Sequence, residues 1–577
     1  MSDDTIVEIP KQRFAPWLME PMKRNKGIYI KVGLAAALIN MFALLTSIFT
    51  MVVYDRVLPN NATSSLIALS IGLAIVIVFD FALKTLRAYF VDVAGARIDR
   101  EVGESVFAQL LAIRLDQKKG STGALAGVIR ELETLRDFFA SATLTAVVDV
   151  PFIFVTLGVI ALIGGWVVTV PLIMIPLVVL VGLITQPAMD RLAAQSMGQG
   201  LLKQTVLVET IGGLETVKTS GAAPILTERW LGAVEEHSST SMRQRLVANI
   251  GVTIAGSAQT ISYAGVVIVG VGMIAENTLT MGGLIACSIL SGRAVAPLGQ
   301  IATLLSRMTA TRTAYRQLNG LMSTRPEGPE GEPLVLTQTS GRIEFRNVHF
   351  RYPGAPEKAL EGVTFTLQPG EHVALLGRVG SGKSTIARLL LGLYEPEEGV
   401  ILLDGTDIRQ LDPLDLRRKV GSAMQESILL SGSVRENIVL GRHGIGDDEM
   451  IQAAELSGTH QFMGQIANGY DRRLADRGEG LSGGQRQSIA IARALATKPN
   501  VLVFDEPTSA MDQQTESGLL DRLDRELKDR TFLVITHRTP LLRLVSRVII
   551  LDRGKIIADG PRDQILAKLN RPKVAAV

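Results

Sequence analysis

The stretch HVALLGRVGSGKSTIARLLLGL, residues 372–393, decides the fold of the C-terminal half of the chain. It begins as an apolar strand, passes through a glycine-rich turn and continues as a helix. Glycines let the backbone N–H groups of such a turn wrap phosphate oxygens, and the N-terminus of the following helix favours negative charge. The stretch therefore predicts an α/β domain with a phosphate-binding site where the strand meets the helix.

Four positions of this turn, Gly377, Gly382, Lys383 and Ser384, fit the pattern G-x-x-x-x-G-K-[ST]. Lys383 is placed to reach the β- and γ-phosphates of a nucleotide, and the hydroxyl of Ser384 is placed to bind Mg²⁺. The residues predicted to surround ATP here are Gly377, Arg378, Val379, Gly380, Ser381, Gly382, Lys383, Ser384 and Thr385.

The second half of such a site is an apolar strand that ends in a carboxylate, and NVLVFDEPTSAMD, residues 500–512, provides it. Asp505 can hold Mg²⁺ through water, and Glu506 is placed to polarise the attacking water. The alternative is that the two acids merely cap a strand, which the neighbouring phosphate motif makes the weaker interpretation. Gln425 can contact the metal and sense the γ-phosphate, and His537, at the end of another apolar strand, can contact the same phosphate.

A second glycine-rich stretch, LSGGQRQSIAIARAL, begins at Leu481. Ser482, Gly483 and Gly484 precede an apolar segment with helical periodicity. Their N–H groups and the helix N-terminus would form a second anion site. The C-terminal half therefore predicts two phosphate cradles.

The whole chain of 577 residues is too long for one compact core. Up to about residue 310 long uncharged stretches alternate with charged ones, whereas from about 341 onward the charges are mixed and the apolar runs are short. This contrast predicts a membrane domain followed by a cytosolic one. The net charge of +3 does not suggest nucleic acid as a partner, and a single cysteine, Cys287, excludes an internal disulfide framework.

Uncharged runs long enough to cross a bilayer, about 20 residues each, predict six transmembrane helices in the first half. The run at 150–189 has twice the needed length, and Gly164-Gly165-Trp166 divides it into two helices. The other four runs are Val32–Tyr54, Val57–Phe79, Leu246–Ala275 and Asn277–Ile301.

Lysine and arginine set the orientation of these spans. They are frequent before the first span, between spans two and three and between spans four and five, whereas the alternate loops hold only Arg56. Both termini are therefore predicted to be cytosolic. The acidic N-terminal segment does not resemble a cleavable signal peptide. The two long cytosolic connections turn at 117–127 and 209–222, which are candidate contact points for the cytosolic domain.

Three charged residues, Asp80, Asp149 and Arg293, lie inside the apolar runs. Asp149 and Arg293 are each about 14 residues from the outer end of their span, which places them at the same depth. Two interpretations stay open, a structural ion pair and a polar lining for a translocation path. The predicted order of domains is a cytosolic N-terminal segment (1–28), the membrane domain with helical cytosolic extensions (29–322), a linker (323–340) and the nucleotide domain (341–577).

A set of motifs resembles the nucleotide-binding domain of an ATP-binding cassette (ABC) transporter. The resemblance covers about residues 341–565, and LSGGQ at 481–485 is its most specific element. The motifs, in chain order, are GRVGSGKST, Gln425, LSGGQ, VLVFDEP, Met511-Asp512 and His537.

This resemblance implies an ATP hydrolase coupled to transport, of the exporter type, with the two cytosolic turns as coupling helices. It implies that Tyr352 stacks on adenine, that Gln485 belongs to the second cradle and that Asp512 lies in the loop linking the two sites. In the family the LSGGQ cradle faces the γ-phosphate of ATP held by the other subunit. The resemblance therefore implies a homodimer with two ATP molecules at its interface.

Further stretches resemble the inner-membrane ATPases of bacterial type I protein secretion, close to the haemolysin and adhesin exporters. Several lie in the membrane domain, which supports a protein substrate. The resemblance implies two partners, a periplasmic membrane-fusion adaptor and a TolC-type outer-membrane channel. The stretches are VYDRVLPNNA (53–62), FFASATLTAVVDVPF (138–152), VETIGGLETVKTSGA (208–222) and DEPTSAMDQQTE (505–516).

The chain departs from many of these ATPases in one respect, since they carry an N-terminal cysteine-peptidase domain or an inactive version of it. Here about 30 residues precede the first span, and no cysteine precedes Cys287, so we expect no leader cleavage by this chain. Two alternative functions stay open: a lipid or drug exporter of the same architecture, and an ATPase acting as a regulatory or structural module. The intact Lys383, Asp505, Glu506 and His537 argue against the module.

Overall fold

The computed structural model describes the backbone of residues 15–118, 121–138, 143–442, 444–466 and 468–569, with all of their side chains except those at 137, 143–149, 299–307, 476 and 569. These residues separate into two compact units. The first contains the described residues up to Ala112 and those from 121 to Thr324. The second contains Ile113–Lys118 and the described residues from Arg325 onward.

The described part of the first unit is helical, because a helix satisfies every backbone polar group within the segment and so tolerates a long apolar sequence. A short π-helix, Val53–Val57, follows the second helix, and a 3-10 turn, Gly165–Val168, follows the fifth. The helices are α1 (Pro16–Arg24), α2 (Lys26–Val52), α3 (Thr63–Ala112), α4 (Thr122–Asp137), α5 (Thr143–Gly164), α6 (Thr169–Gly212), α7 (Leu214–Thr219), α8 (Ala223–Ala275) and α9 (Met281–Met322).

Five continuous helical segments of the described chain are long and apolar enough to cross a membrane, and one of them, 150–212, is 63 residues long. The 3-10 turn lies inside this segment, and its Gly165 has a φ of +53°. The predicted division at Gly164-Gly165-Trp166 is confirmed, so the segments account for six spans. The helices α3, α6 and α8 have 50, 44 and 53 residues, which exceeds the ~20 residues that a bilayer requires. Each of these helices is therefore longer than one span needs, and the position of the helical extensions outside the membrane stays a prediction.

The segment after α2 is bonded to the start of α9. The Asp55 carboxylate accepts hydrogen bonds from the backbone N–H of Gly282 at 2.8 Å and from the hydroxyl of Thr280 at 2.7 Å. A carboxylate is favoured at a helix N-terminus by the helix dipole. A Cβ atom at Gly282 would lie 2.5 Å from the carbonyl oxygen of Met51, so this contact requires glycine.

The second unit contains a six-stranded sheet of order β12-β11-β3-β10-β9-β6 and a four-stranded antiparallel sheet of order β2-β1-β4-β5, while β7 and β8 pair with each other. Strands β11, β3, β10, β9 and β6 run parallel, and β12 is an antiparallel edge. The strands are β1 (Ile343–Phe350), β2 (Leu360–Leu367), β3 (His372–Gly377), β4 (Glu398–Leu403), β5 (Thr406–Asp407), β6 (Val420–Ala423), β7 (Gly432–Ser433), β8 (Arg473–Leu474), β9 (Val501–Asp505), β10 (Thr531–Ile535), β11 (Arg547–Asp552) and β12 (Lys555–Pro561).

Helices cover the parallel sheet, and the strands β9 and β10 are buried along their whole length. Parallel strands of this kind read as continuous apolar runs because both of their faces are covered. The helices of this unit are α10 (Lys383–Leu390), α11 (Pro413–Lys419), α12 (Val434–Val439), α13 (Asp447–Ser457), α14 (Thr459–Met463), α15 (Gly483–Leu495), α16 (Gln513–Glu526) and α17 (Arg562–Leu569).

Candidate nucleotide site

Four parallel strands end at the same edge of the six-stranded sheet, and the predicted site residues lie just beyond their ends. In the register of the sheet, Ile535 of β10 pairs with both Leu375 of β3 and Asp505 of β9. Ala423 of β6 pairs with Phe504 of β9. The structure therefore brings together the phosphate turn, the two carboxylates, His537 and Gln425, as parallel strands require.

The phosphate turn between β3 and α10 has the shape that its glycines permit. Gly380 and Gly382 have φ values of +80° and +99°, which favour glycine. A Cβ atom at Gly382 would also lie 2.5 Å from the carbonyl oxygen of Ala359. The Lys383 ammonium donates to the carbonyl oxygens of Gly377 at 2.9 Å and Arg378 at 2.8 Å, so it is folded back on its own turn. Burial lowers its pKa, an effect that the nearby acids oppose.

The two carboxylates at the end of β9 are buried, with Asp505 2% and Glu506 8% exposed. Among the described residues, Asp505 Oδ1 and Glu506 Oε2 have no hydrogen-bond partner. Burial raises the pKa of the Asp505 carboxyl, although a hydrogen bond from Ser384 opposes this rise. A buried carboxylate oxygen without a partner, next to a serine hydroxyl and near the exposed Gln425, provides the oxygen ligands that Mg²⁺ prefers. The residues present therefore fit the predicted metal.

Glu506 has a strained backbone, with a φ of +50° that is uncommon outside glycine. Its N–H donates to the carbonyl oxygen of Ile535 at 2.9 Å. Its Oε1 atom lies 2.7 Å from Nδ1 of His537, whose side chain is 72% exposed. One carboxylate oxygen is thus held by histidine, and the other has no partner in the part of the chain that the structure describes.

Tyr352, the predicted adenine platform, lies beside the start of α10. Its hydroxyl is 3.0 Å from the Thr385 hydroxyl and accepts a hydrogen bond from Arg388 at 3.0 Å. The Arg388 guanidinium lies 5.9 Å from the centre of the Tyr352 ring, and Tyr394 packs edge-on at 5.3 Å. The tyrosine ring is therefore held in a cluster close to the phosphate turn.

The second cradle is the N-terminus of α15. Ser482 caps the helix, because its hydroxyl accepts from the Gln485 N–H at 3.2 Å and its own N–H donates to the Gln485 side chain at 2.9 Å. The predicted helix is confirmed, and it begins at Gly483. Side-chain atoms at Gly483 and Gly484 would press against Ala510, whose Cβ and carbonyl oxygen lie 2.9 and 3.1 Å from the respective Cβ positions. The glycines thus let α15 contact the loop that follows Glu506.

That loop, residues 506–512, also has partners that sequence reasoning missed. Gln487 of α15 is bonded to Glu506, Ser509 and Ala510 of the loop. Its one sequence signal is its place two residues after LSGGQ, as a polar residue within an apolar helix. Asp512, predicted to lie in the linking loop, caps α16 through the N–H and hydroxyl of Thr515, both at 2.9 Å. The hydrogen bonds from Thr515 lower the pKa of the Asp512 carboxyl.

A buried ion pair lies next to the same loop and was also missed. Glu516, 4% exposed, accepts from the Thr508 hydroxyl at 2.6 Å and from Arg538 at 2.9 Å. Arg538 donates as well to the Thr508 carbonyl oxygen at 2.7 Å. This network ties the loop to the strand end that carries His537. Glu516 lies within the quoted stretch 505–516, but its partner is 22 residues away.

The charged residues of the spans belong to the first unit. Asp80 in α3 accepts from Lys84, one helical turn later, at 2.6 Å. Arg293 in α9 donates to the carbonyl oxygen of Ala43 in α2. The Asp149 side chain lies outside the described residues, so its pairing with Arg293 stays a prediction, as does the polar path.

Comparison with known proteins identifies the family. The model of the ABC transporter family matches residues 360–509, and that of the ABC transporter transmembrane region matches residues 29–298. The chain is 33% identical over 559 residues to the leukotoxin translocation ATP-binding protein LktB of Pasteurella haemolytica-like sp. (strain 5943B), and the match covers 96% of this chain and 78% of LktB. The chain belongs to the ABC transporter family.

Two further similarities extend over nearly all of this ABC transporter. It is 33% identical over 556 residues to the toxin RTX-I translocation ATP-binding protein of Actinobacillus pleuropneumoniae, with 96% of this chain and 78% of the relative covered. A solved structure of a bacterial Atm1-family ABC exporter with ATP bound is similar with a TM-score of 0.83 and 25% identity, covering 96% of this chain and 97% of the other. The predicted fold class, a helical membrane domain followed by an α/β nucleotide domain, is confirmed.

Membership of this family establishes the general activity of the ABC transporter. It binds ATP, and it hydrolyses ATP in a reaction coupled to transport. It is a multi-pass membrane protein, with its apolar helices in the region that matches the transmembrane family model.

Proposed function

We propose that this ABC transporter exports a protein across the bacterial inner membrane, as the ATPase and permease of a type I secretion system. The supporting observation is that 33% identity to proteins named for leukotoxin and RTX-I toxin translocation extends over 96% of the chain, and so through the membrane half. Nucleotide domains share motifs whatever the substrate, whereas membrane helices are where a substrate is handled. Similarity in that half therefore favours a protein substrate over a lipid or a drug.

The proposed roles at the site follow from its geometry. Lys383 exchanges its bonds to its own turn for the β- and γ-phosphates of ATP. Mg²⁺, held by Ser384, Asp505 and Gln425, would neutralise charge on the phosphates when bound. Glu506 Oε2, which is buried and has no partner among the described residues, accepts a proton from the attacking water.

His537 holds the other oxygen of Glu506 at 2.7 Å and keeps the carboxylate in one orientation. Its exposed ring also faces the edge where the γ-phosphate would arrive, as Gln425 does. Tyr352 supplies a flat ring for adenine, and the Arg388 contact fixes that ring. Each of these residues binds or orients, and Glu506 takes the proton.

The assembly we propose is a homodimer with two ATP molecules. The second cradle, residues 482–485 with the linked Asp512, serves the ATP held by the partner's phosphate turn. An anion site at the N-terminus of the 13-residue helix α15 supports this arrangement, since the protomer already has one complete phosphate turn. Purified protein diluted to a demonstrated monomer should lose ATPase activity, and an unchanged rate would contradict the dimer.

The proposed setting is the inner membrane, with both termini and the nucleotide domain in the cytosol. The lysine and arginine distribution supports this orientation. The exported protein would pass on to a periplasmic membrane-fusion adaptor and a TolC-type outer-membrane channel. Leu58, in the turn between α2 and α3, is 65% exposed and suits a photo-crosslinker for the adaptor. The same crosslinker placed in a loop predicted to be cytosolic should give no crosslink to the adaptor.

The decisive experiment compares the secreted proteins of the native bacterium with and without this gene. We expect a protein to disappear from the medium on deletion, to return with the wild-type gene, and to stay absent with Glu506→Gln at equal expression. An unchanged set of secreted proteins, together with ATPase activity stimulated by amphiphiles, would support a lipid or drug exporter instead.

A further inference from the structure

We propose that Gln487 is a positioning residue that couples the two phosphate cradles within one protomer. It connects the helix that bears the LSGGQ cradle with Glu506, the base of the protomer's own phosphate site. The inference rests on the two-site homodimer proposed above, in which these cradles serve different ATP molecules.

The side chain of Gln487 is 8% exposed and uses both ends of its amide. Its nitrogen donates to the Glu506 carbonyl oxygen at 3.2 Å and to the Ser509 hydroxyl at 2.7 Å. Its oxygen accepts from the Ala510 N–H at 3.0 Å. The backbone partners fix the orientation of the amide, because a carbonyl needs a donor and an N–H needs an acceptor. Glutamine provides both a donor and an acceptor at the end of a side chain that is long enough to reach these partners.

These bonds act where the backbone is strained. A non-glycine residue in the left-handed region persists only when its surroundings hold it there, and Glu506 has a φ of +50°. Its N–H is held by the Ile535 carbonyl oxygen at 2.9 Å, while its carbonyl accepts from the Ser509 N–H at 3.2 Å and from Gln487. Without the glutamine donor, Glu506 can relax and move its carboxylate away from His537.

The same helix carries the second cradle about one turn earlier. Gly483 and Gly484 lie close to Ala510 in the loop after Glu506, since a Cβ atom added at either glycine would lie 2.9 or 3.1 Å from an Ala510 atom, and Gln487 is about 6 Å further along α15. The loop is thus held by α15 at two points. A movement of α15 when its N-terminus meets the partner's ATP is passed through Gln487 to Glu506, which faces the protomer's own ATP.

The test uses Gln487→Glu in the full-length protein in lipid nanodiscs. This isosteric change keeps the acceptor for Ala510, removes the donor and sets a carboxylate against the Glu506 carbonyl. Gln487→Asn, which keeps both groups but shortens the reach, is the second variant. Gln452→Glu makes the same chemical change at an exposed position of α13 and is the matched control. The readouts are kcat, half-saturating ATP, the Hill coefficient and binding of a fluorescent ATP analogue.

We expect Gln487→Glu to lower kcat about tenfold or more while half-saturating ATP changes less than about threefold, and to bring the Hill coefficient to 1. The control should match the wild type. A kcat within about twofold of the control, or an equal loss of ATP binding and kcat, would overturn the proposal. If Gln487→Glu does not fold, Gln487→Asn is judged by the same criteria. A wild-type Hill coefficient of 1 would mean that the two ATP sites act independently and would overturn the coupling, whereas the dimer itself is judged by the dilution assay described above.

Discussion

Glu516→Gln tests whether the buried network beside the loop 506–512 stabilises the second unit. Glu516 is 4% exposed, and its Oε1 accepts two hydrogen bonds, from the Thr508 hydroxyl at 2.6 Å and from Arg538 at 2.9 Å. Glutamine can offer an oxygen to both donors but carries no charge. A hydrogen bond to a charged group contributes about 1 kcal/mol more to stability than a bond to a neutral one. Losing the charge from both bonds should therefore lower the free energy of unfolding of the second unit by about 2 kcal/mol.

The assay is differential scanning calorimetry of the purified full-length protein. The transition of the second unit is identified as the one whose midpoint ATP raises, since a ligand that binds the folded state stabilises it. For a unit of this size, about 2 kcal/mol corresponds to a midpoint lower by about 4–8 °C. Fluorescence would be the wrong probe, because all three tryptophans lie in the first unit.

Asp521→Asn is the matched control. It removes the charge of a carboxylate that pairs with an arginine, on the same helix as Glu516 but at an exposed position. The Arg543 and Asp521 side chains are 45% and 62% exposed, and exposed pairs contribute about 0–1 kcal/mol. The control should therefore lower the midpoint by about 0–4 °C, and by less than Glu516→Gln does. If the two variants lowered it equally, burial would not explain the contribution of Glu516, and the reasoning would be refuted.

Three more predictions concern single groups. Glu506→Gln should retain ATP binding in a filter assay and lower phosphate release about 10²–10⁴-fold, as loss of a general base does; a rate near that of the wild type would exclude this role. EDTA should abolish hydrolysis and excess Mg²⁺ restore it, because Asp505 Oδ1 has no partner among the described residues; hydrolysis that persists in EDTA would contradict the metal site. Gly282→Ala should destabilise the first unit by about 1–3 kcal/mol in a tryptophan-fluorescence melt, because its methyl group would meet the Met51 carbonyl oxygen. Gly272→Ala, with nothing within 4 Å, is its control, and equal melting of the two would contradict the packing argument.

Features that depend on local sequence could be predicted. The phosphate turn could be predicted from its glycines, and the spans from the length of the apolar runs. The break at Gly164-Gly165-Trp166 could be predicted because these residues interrupt an apolar run of twice the needed length. Motifs that follow apolar strands predicted that Asp505 and His537 belong to one site with Gln425, and the structure shows that parallel strands bring them to one edge of the sheet.

Features that depend on packing between distant segments could not. Gln487 meets Glu506 across 19 residues, and Arg538 meets Glu516 across 22, through contacts that exist only once α15 and α16 pack on the sheet. The contact of Gln485 was also beyond the sequence, because its side chain caps α15 by accepting from the Ser482 N–H at 2.9 Å. A motif identifies a residue that can contact a phosphate, but the bonds that hold it before the phosphate arrives come from the fold.

Those bonds explain how the site can bind ATP and still release its products. Lys383 is bonded to its own turn, and Ser482 and Gln485 are bonded to each other, so phosphate binding exchanges hydrogen bonds and adds few. Exchange gives a small net free energy, because the bonds gained and lost are similar. Asp505 Oδ1 and Glu506 Oε2 differ, since no described residue pairs with either. We therefore expect the driving force of ATP binding to concentrate on these two carboxylates, which are the proposed ligands of the metal and of the attacking water.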